Sequence, residues 1–120
     1  MSDLDNLLAA FDSGQLLRLP NHPLNIVDLS RALASLCGAT EVESTPGSEE
    51  LARLIGPSDH LVFVLVDGLG MVFLDTLPPD SFLRHYLVAE LRTVFPSSSA
   101  TAITSLATGQ WPSTHGVTGR

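Results

Sequence analysis

In "LVFVLVDGLG", residues 61 to 70, one carboxylate, Asp67, stands directly behind six apolar residues and ahead of Gly68 and Gly70. A second stretch, "TVFPSSSATAITSLATG", sets Ser97, Ser98 and Ser99 in front of a helical pattern that ends at Gly109. If the first run is a strand of an open α/β sheet, Asp67 lies outside its carboxyl end, where ligands of such sheets bind. The glycines then let the backbone turn sharply and come close to a ligand. A helix that starts at the serines offers free N–H groups and a partial positive charge, which favour an alkoxide and a bound phosphate. A carboxylate facing a helix-start hydroxyl suits metal-assisted phosphoryl transfer, in which a shared divalent cation lowers the hydroxyl pKa and stabilises charge in the displacement.

Plainer readings stand beside these. Asp67 can cap a helix beginning near Gly70, and a serine run before a helix is a common capping cluster. A dinucleotide fold fits poorly, because "VDGLG" lacks the G-x-G-x-x-G spacing and an acid in the phosphate turn repels pyrophosphate. A Ser-His-Asp hydrolase is disfavoured by the lack of a G-x-S-x-G elbow. Cys37, the single cysteine, excludes an internal disulfide framework, agrees with a reducing compartment, and reads as a small buried residue on a helix.

Positioning those groups requires a strand, a helix and a strand in order. Continuous β-branched and aromatic residues at 61–66 suit a strand covered on both faces, as in a parallel sheet. "GMVFLDTLPP" and "SFLRHYL" read as helical, "AELRTVF" as a second strand, and "SSATAITSLATG" as a helix, which together make a βαβα unit. Upstream, Leu4, Leu7, Leu8 and Phe11 recur at helical spacing behind Asp3. A second helix carries Ile26 to Leu36 and closes at Gly38, and a third runs from about Ser48 to Ile55. Residues 1–58 are thus a helical lead-in and residues 59–120 the start of an α/β domain. Two strands are too few for an independent sheet of about 4 to 6, so this reading expects the N-terminal portion of a larger domain, or completion by another chain.

Composition narrows the partners. The 120 residues are 44% hydrophobic, with 13 acids against 6 arginines, no lysine and a net charge of -7. The arginines are scattered singly, which argues against nucleic-acid binding. No apolar run approaches the ~20 residues of a membrane span, and the acidic start "MSDLDNLLAAFDSG" is unlike a secretory signal. A cytoplasmic protein is the expectation.

Taken together, "VFVLVDGLG" and "VFPSSSATAITSLATGQWPSTHGVTG" resemble the N-terminal catalytic half of the type I phosphodiesterase/nucleotide pyrophosphatase family, within the alkaline phosphatase superfamily. The series D-G, F-P-S, T-G and P-x-x-H-G carries the resemblance, and "HPLNIVDLSRALASLCG" is similar to the N-terminal helix of bacterial members. The resemblance implies a three-layer α/β/α fold with a mostly parallel sheet. It implies hydrolysis of phosphodiester or nucleotide pyrophosphate bonds in small-molecule substrates, through a covalent phosphoryl-serine. Asp67 matches a metal-ligating aspartate, and Ser99 matches the nucleophile and second metal contact where the family usually has threonine. Thr101 is the competing hydroxyl. Two divalent ions, zinc in most members, are implied, with their remaining ligands outside this chain. His115 matches a structural element, His22, His60 and His85 match no ligand position, and Arg120 falls where an asparagine often holds the phosphate. An arginine can grip phosphate there as a fork. Phosphatase, sulfatase or phosphomutase chemistry is the near alternative, and a non-catalytic binding or assembly module the distant one.

Overall fold

The computed structural model describes residues 2–16 and 24–119. His22 and Arg120, the expected phosphate contact, lie outside the described residues. Helix α1 (Asp3–Asp12) starts with a capping box in which Ser2 and Asp5 satisfy each other's exposed groups. The Ser2 hydroxyl, and then its N–H, hold the Asp5 carboxyl below its ordinary value of 3.8. The helix buries none of its residues.

Helices α2 (Ile26–Leu36) and α3 (Pro46–Ile55) pack against each other and are joined at their starts by one buried carboxylate. Asp28 accepts 2.6 Å hydrogen bonds from Asn25 Nδ2 and from Thr45 Oγ1. Asn25 is the N-cap of α2 and Thr45 that of α3, where Pro46 occupies the first turn and Ser48 completes a capping box. Val27, Ala32, Leu51 and Val94 form the buried apolar core beside them. Ser48, the expected start of α3, lies inside it, because Pro46 is tolerated where no N–H is needed.

Helix α2 also packs on α6 (Ser99–Thr108), which ends at Gly109 in the left-handed region, φ +65°. Ser30 Oγ donates to the Leu106 carbonyl at 2.6 Å and Arg31 Nε to the Gly109 carbonyl at 2.9 Å. A single turn, α7 (Pro112–His115), folds back on α6, and His115 Nε2 lies 2.9 Å from the buried Ser105 hydroxyl. Val117 N–H donates to His115 Nδ1 at 3.0 Å, so Nε2 is the nitrogen that carries the proton and donates to Ser105.

The two expected strands are where the structure departs from the sequence reading. Among the described residues there is no strand: residues 61–66 carry no regular secondary structure and no backbone hydrogen bond, and Val62, Val64 and Val66 are 83%, 73% and 55% exposed. The segment read as the second strand contributes a single parallel bridge, Arg92 to Asn25. The two intervening helices shrink to one turn each, α4 (Met71–Leu74) and α5 (Phe82–His85), separated by Pro78 and Pro79. The described chain is therefore α-rich, and the parallel sheet is not formed within it. Cys37 is a further correction, since it follows the last turn of α2 and is exposed.

These departures share a cause. A run built for burial on both faces needs neighbouring strands on both edges, and residues 61–66 meet none. The accessible surface is 8606 Å², against roughly 6,300 Å² for a folded monomer of this mass. The radius of gyration is 16.2 Å, against roughly 14 Å for a compact chain of this length.

Candidate functional site

Asp67 follows the apolar run in a turn that Gly68 makes possible with φ +78°, a conformation costly for any residue with a Cβ. The turn faces the start of α6. Ser99, the first residue of that helix, donates its hydroxyl to Asp67 Oδ2 at 3.3 Å, and both residues are exposed. The structure thus brings together the two residues that the sequence reading singled out, although the sheet expected to hold them is not formed.

The plainer reading of Asp67 does not hold. Gly70 is the N-cap of α4, and that helix has no side-chain cap hydrogen bond. Capping does explain one serine. Ser98 is the N-cap of α6, and its hydroxyl accepts from Thr101 N–H at 3.4 Å and lies 2.8 Å from Thr101 Oγ1. With the Ser98 hydroxyl turned inward, Ser99 is the serine of that pair whose oxygen faces Asp67. Thr101, the competing hydroxyl, is fully buried and already paired, which removes it from contact with a ligand.

Two further donors belong to this site, and only the helix start could have indicated them. The N–H groups of Ser99 and Ala100 make no hydrogen bond among the described residues, as expected for a first turn. They lie beside the Ser99 hydroxyl at the positive end of α6, where an anionic oxygen is favoured. A cavity of about 470 Å³ opens here, lined by Asp67, Ser97 and Ser99 among its polar residues and by Leu65, Ile103 and Leu106 among its apolar ones.

The donor set can be tested against a divalent cation. A carboxylate and an ionisable hydroxyl are hard oxygen donors suited to zinc or magnesium, and at 3.3 Å they are close enough to serve one ion. They supply two donors where a closed zinc site has about four, and no group of three or more His, Cys, Asp or Glu that could hold a metal is found among the described residues. The pair fits as part of a metal site. His60 and His85 are exposed, and His115 is committed to Ser105 and Val117.

The sequence profile of the type I phosphodiesterase / nucleotide pyrophosphatase family matches residues 61–120, half of the chain. The chain belongs to this family. None of the curated proteins or solved structures compared with it matches. Membership suggests hydrolysis of the phosphodiesterase or pyrophosphatase kind, with small-molecule phosphodiesters as the substrate class. The match begins at Leu61, so α1, α2 and α3 precede the matched residues while Asp67, Ser99 and His115 lie among them. No helix among the described residues is long and apolar enough to cross a membrane.

Proposed function

We propose that this protein hydrolyses phosphodiester or nucleotide pyrophosphate bonds with Ser99 as its nucleophile and Asp67 as a metal-ligating partner of that serine. The observation that carries the reading is the Ser99–Asp67 contact at the first turn of α6, inside the family-matched half of the chain. Asp67 and Ser99 would hold a divalent ion, zinc in our reading, through their side-chain oxygens. That ion supplies Lewis acidity, favouring ionisation of the serine hydroxyl and offsetting charge on the phosphoryl oxygens.

The chain's own residues then define the remaining chemistry. Asp67 accepts from the Ser99 hydroxyl, and both side chains line the open cavity. The free N–H groups of Ser99 and Ala100 bind a non-bridging phosphoryl oxygen, which gains charge in the displacement. Ser99 Oγ bonds to phosphorus in line as its proton is released to solvent, the P–O bond to the leaving group breaks and that oxygen takes a proton from solvent, and a phosphoserine diester remains; water then attacks phosphorus, the Ser99 Oγ–P bond breaks, and the hydroxyl is restored. The carboxylate beside a hydroxyl, with no basic side chain among the described residues lining the cavity, favours this chemistry over non-catalytic binding of an anion.

We further propose that residues 61–66 form a strand of a mostly parallel sheet within an alkaline-phosphatase-like α/β/α domain, paired on both edges with strands that the described residues do not contain. The unpaired, exposed apolar run supports this, as does an accessible surface well above that of a compact monomer. The same additional segments would supply the missing metal donors, and a cytoplasmic location fits the single exposed thiol.

The test is turnover by the full-length protein, loaded with zinc, of bis(p-nitrophenyl) phosphate and of p-nitrophenyl phosphate. A preference for the diester, lost in Ser99→Ala and largely retained in Ser99→Thr, is expected. Faster turnover of the monoester would instead favour the phosphatase alternative, and equal turnover by Ser99→Ala would remove Ser99 from the chemistry.

A further inference from the structure

Helix α2 lies outside the family-matched residues, yet it holds the serine segment on both sides of Ser99. Ahead of the serine, Ile26 N–H donates to the Arg92 carbonyl at 3.0 Å and Arg92 N–H donates to the Leu24 carbonyl at 3.1 Å. Behind it, Ser30 and Arg31 reach the Leu106 and Gly109 carbonyls. Arg31 is 6% exposed, and its guanidinium also pairs with Glu43 at 2.9 Å.

Helix α6 needs such help. The last carbonyls of any helix lack intrahelical partners and carry partial negative charge, which a cation satisfies. Helix α6 has no basic residue of its own in its last turn, and Arg31 supplies one from a neighbouring element. At the other end, the Ser99 hydroxyl has, among the described residues, only a long, exposed hydrogen bond to Asp67, too weak to hold it in place. The location of the nucleophile therefore depends on where the backbone of α6 is anchored, and a misplacement of about 1 Å can cost ~100-fold in rate.

We propose that α2 is the positioning element of the serine helix and that Arg31 is a positioning residue acting through the Gly109 carbonyl. The inference rests on the reading of Ser99 as nucleophile; Arg31 itself touches no reacting atom.

The experiment compares Arg31→Ala, Arg31→Lys and Ser30→Ala with wild type in the full-length protein, well below the melting temperature. Diester turnover and hydrogen exchange of the α6 amides are measured, and Arg53→Ala on the exposed face of α3 is the control. Arg31→Ala is expected to lower kcat by ~10-fold or more with KM changed by less than about twofold, since positioning acts on the reacting geometry more than on binding. Ethylguanidinium should restore part of the loss in Arg31→Ala and none in Ser99→Ala, and a cavity of about 150 Å³ bordered by Arg31, Glu43 and Gly109 leaves room for it. Arg31→Lys, which keeps the charge but not the fork, should fall between. A folded Arg31→Ala with lowered melting temperature, unchanged kcat and no rescue would overturn the inference, leaving Arg31 a stabilising residue only. If Arg31→Ala does not fold, Ser30→Ala and Arg31→Lys decide by the same kcat comparison. If the wild type turns over no phosphodiester, the proposed function fails separately. The exchange data then decide: faster exchange along α6 in these variants supports the anchoring, and unchanged exchange overturns it.

Discussion

Replacing Asp67 by asparagine separates a functional carboxylate from a structural one, because the structure assigns the two roles very different magnitudes. The side chain keeps its shape and loses its charge. Its one side-chain hydrogen bond among the described residues is the 3.3 Å bond from Ser99, between exposed groups, which is longer than the usual 2.7–2.8 Å for O–H···O and contributes little to stability. It caps no helix, since α4 starts at Gly70 without a side-chain cap. Asp67→Asn should therefore change stability by less than about 0.5 kcal/mol, as at other exposed sites. Loss of a true N-cap costs about 1 kcal/mol, or roughly 4 °C in Tm for a unit of this size. Activity should behave differently. Loss of groups that merely support metal ligands costs 10- to 100-fold, so loss of a ligand should cost at least ~100-fold. The assay is differential scanning calorimetry, metal content by elemental analysis and diester turnover on one preparation of the full-length protein. A Tm lowered by about 4 °C with metal content and turnover intact would refute the reasoning and return Asp67 to a capping role.

Two other expectations follow from the same geometry. Thr101→Val keeps the buried shape and deletes the hydroxyl that pairs with Ser98 at 2.8 Å, so it should cost on the order of 1 kcal/mol by denaturant unfolding and leave kcat within a few-fold; abolished turnover in a folded protein would make Thr101 the reacting hydroxyl. Asp5, lowered by its hydrogen bonds from Ser2, contributes stability to α1 that is fully present above the ordinary carboxylate value and is lost as the pH falls through the lowered one. An NMR titration should therefore place its midpoint below 3.8 and move it upward in Ser2→Ala, whereas a midpoint at the ordinary value in both proteins would contradict the capping box.

What was legible in the sequence depended on how local its cause was. Helices α1, α2 and α6 were legible from apolar residues at helical spacing, with Asp3 ahead of the first, Gly38 closing the second and the serine run and Gly109 bounding the last, whereas the caps Ser2 and Asn25 emerge only in the structure. The meeting of Asp67 and Ser99 was legible through the expected strand-helix-strand order, which brings a strand-end carboxylate and a helix-start hydroxyl to one edge of a sheet, and the two meet although the described residues form no sheet. Residues 61–66 show the limit. Their composition states what they require, two covered faces and two paired edges, but the partners are non-local, and the described chain leaves the run exposed. Single-turn helices α4 and α5 read as longer because apolar content extends past Leu74 and His85, where Pro78, Pro79 and the missing packing stop them. The buried hydrogen bonds of Asp28 and Arg31 were not legible, since a polar residue on an amphipathic helix looks solvent-facing until its partner, Thr45 or Gly109, is known.

The central claim is that Ser99 forms a bond to phosphorus, and acid trapping tests it most directly. The full-length protein, loaded with zinc, is mixed with a phosphodiester substrate, quenched at low pH within one turnover, digested, and read by tandem mass spectrometry. The account predicts a phosphodiester adduct on Ser99, absent from Ser99→Ala. An adduct on Ser97, Ser98 or Thr101, or turnover with no protein adduct at any quench time, would contradict it, and the last result would assign the attack to water.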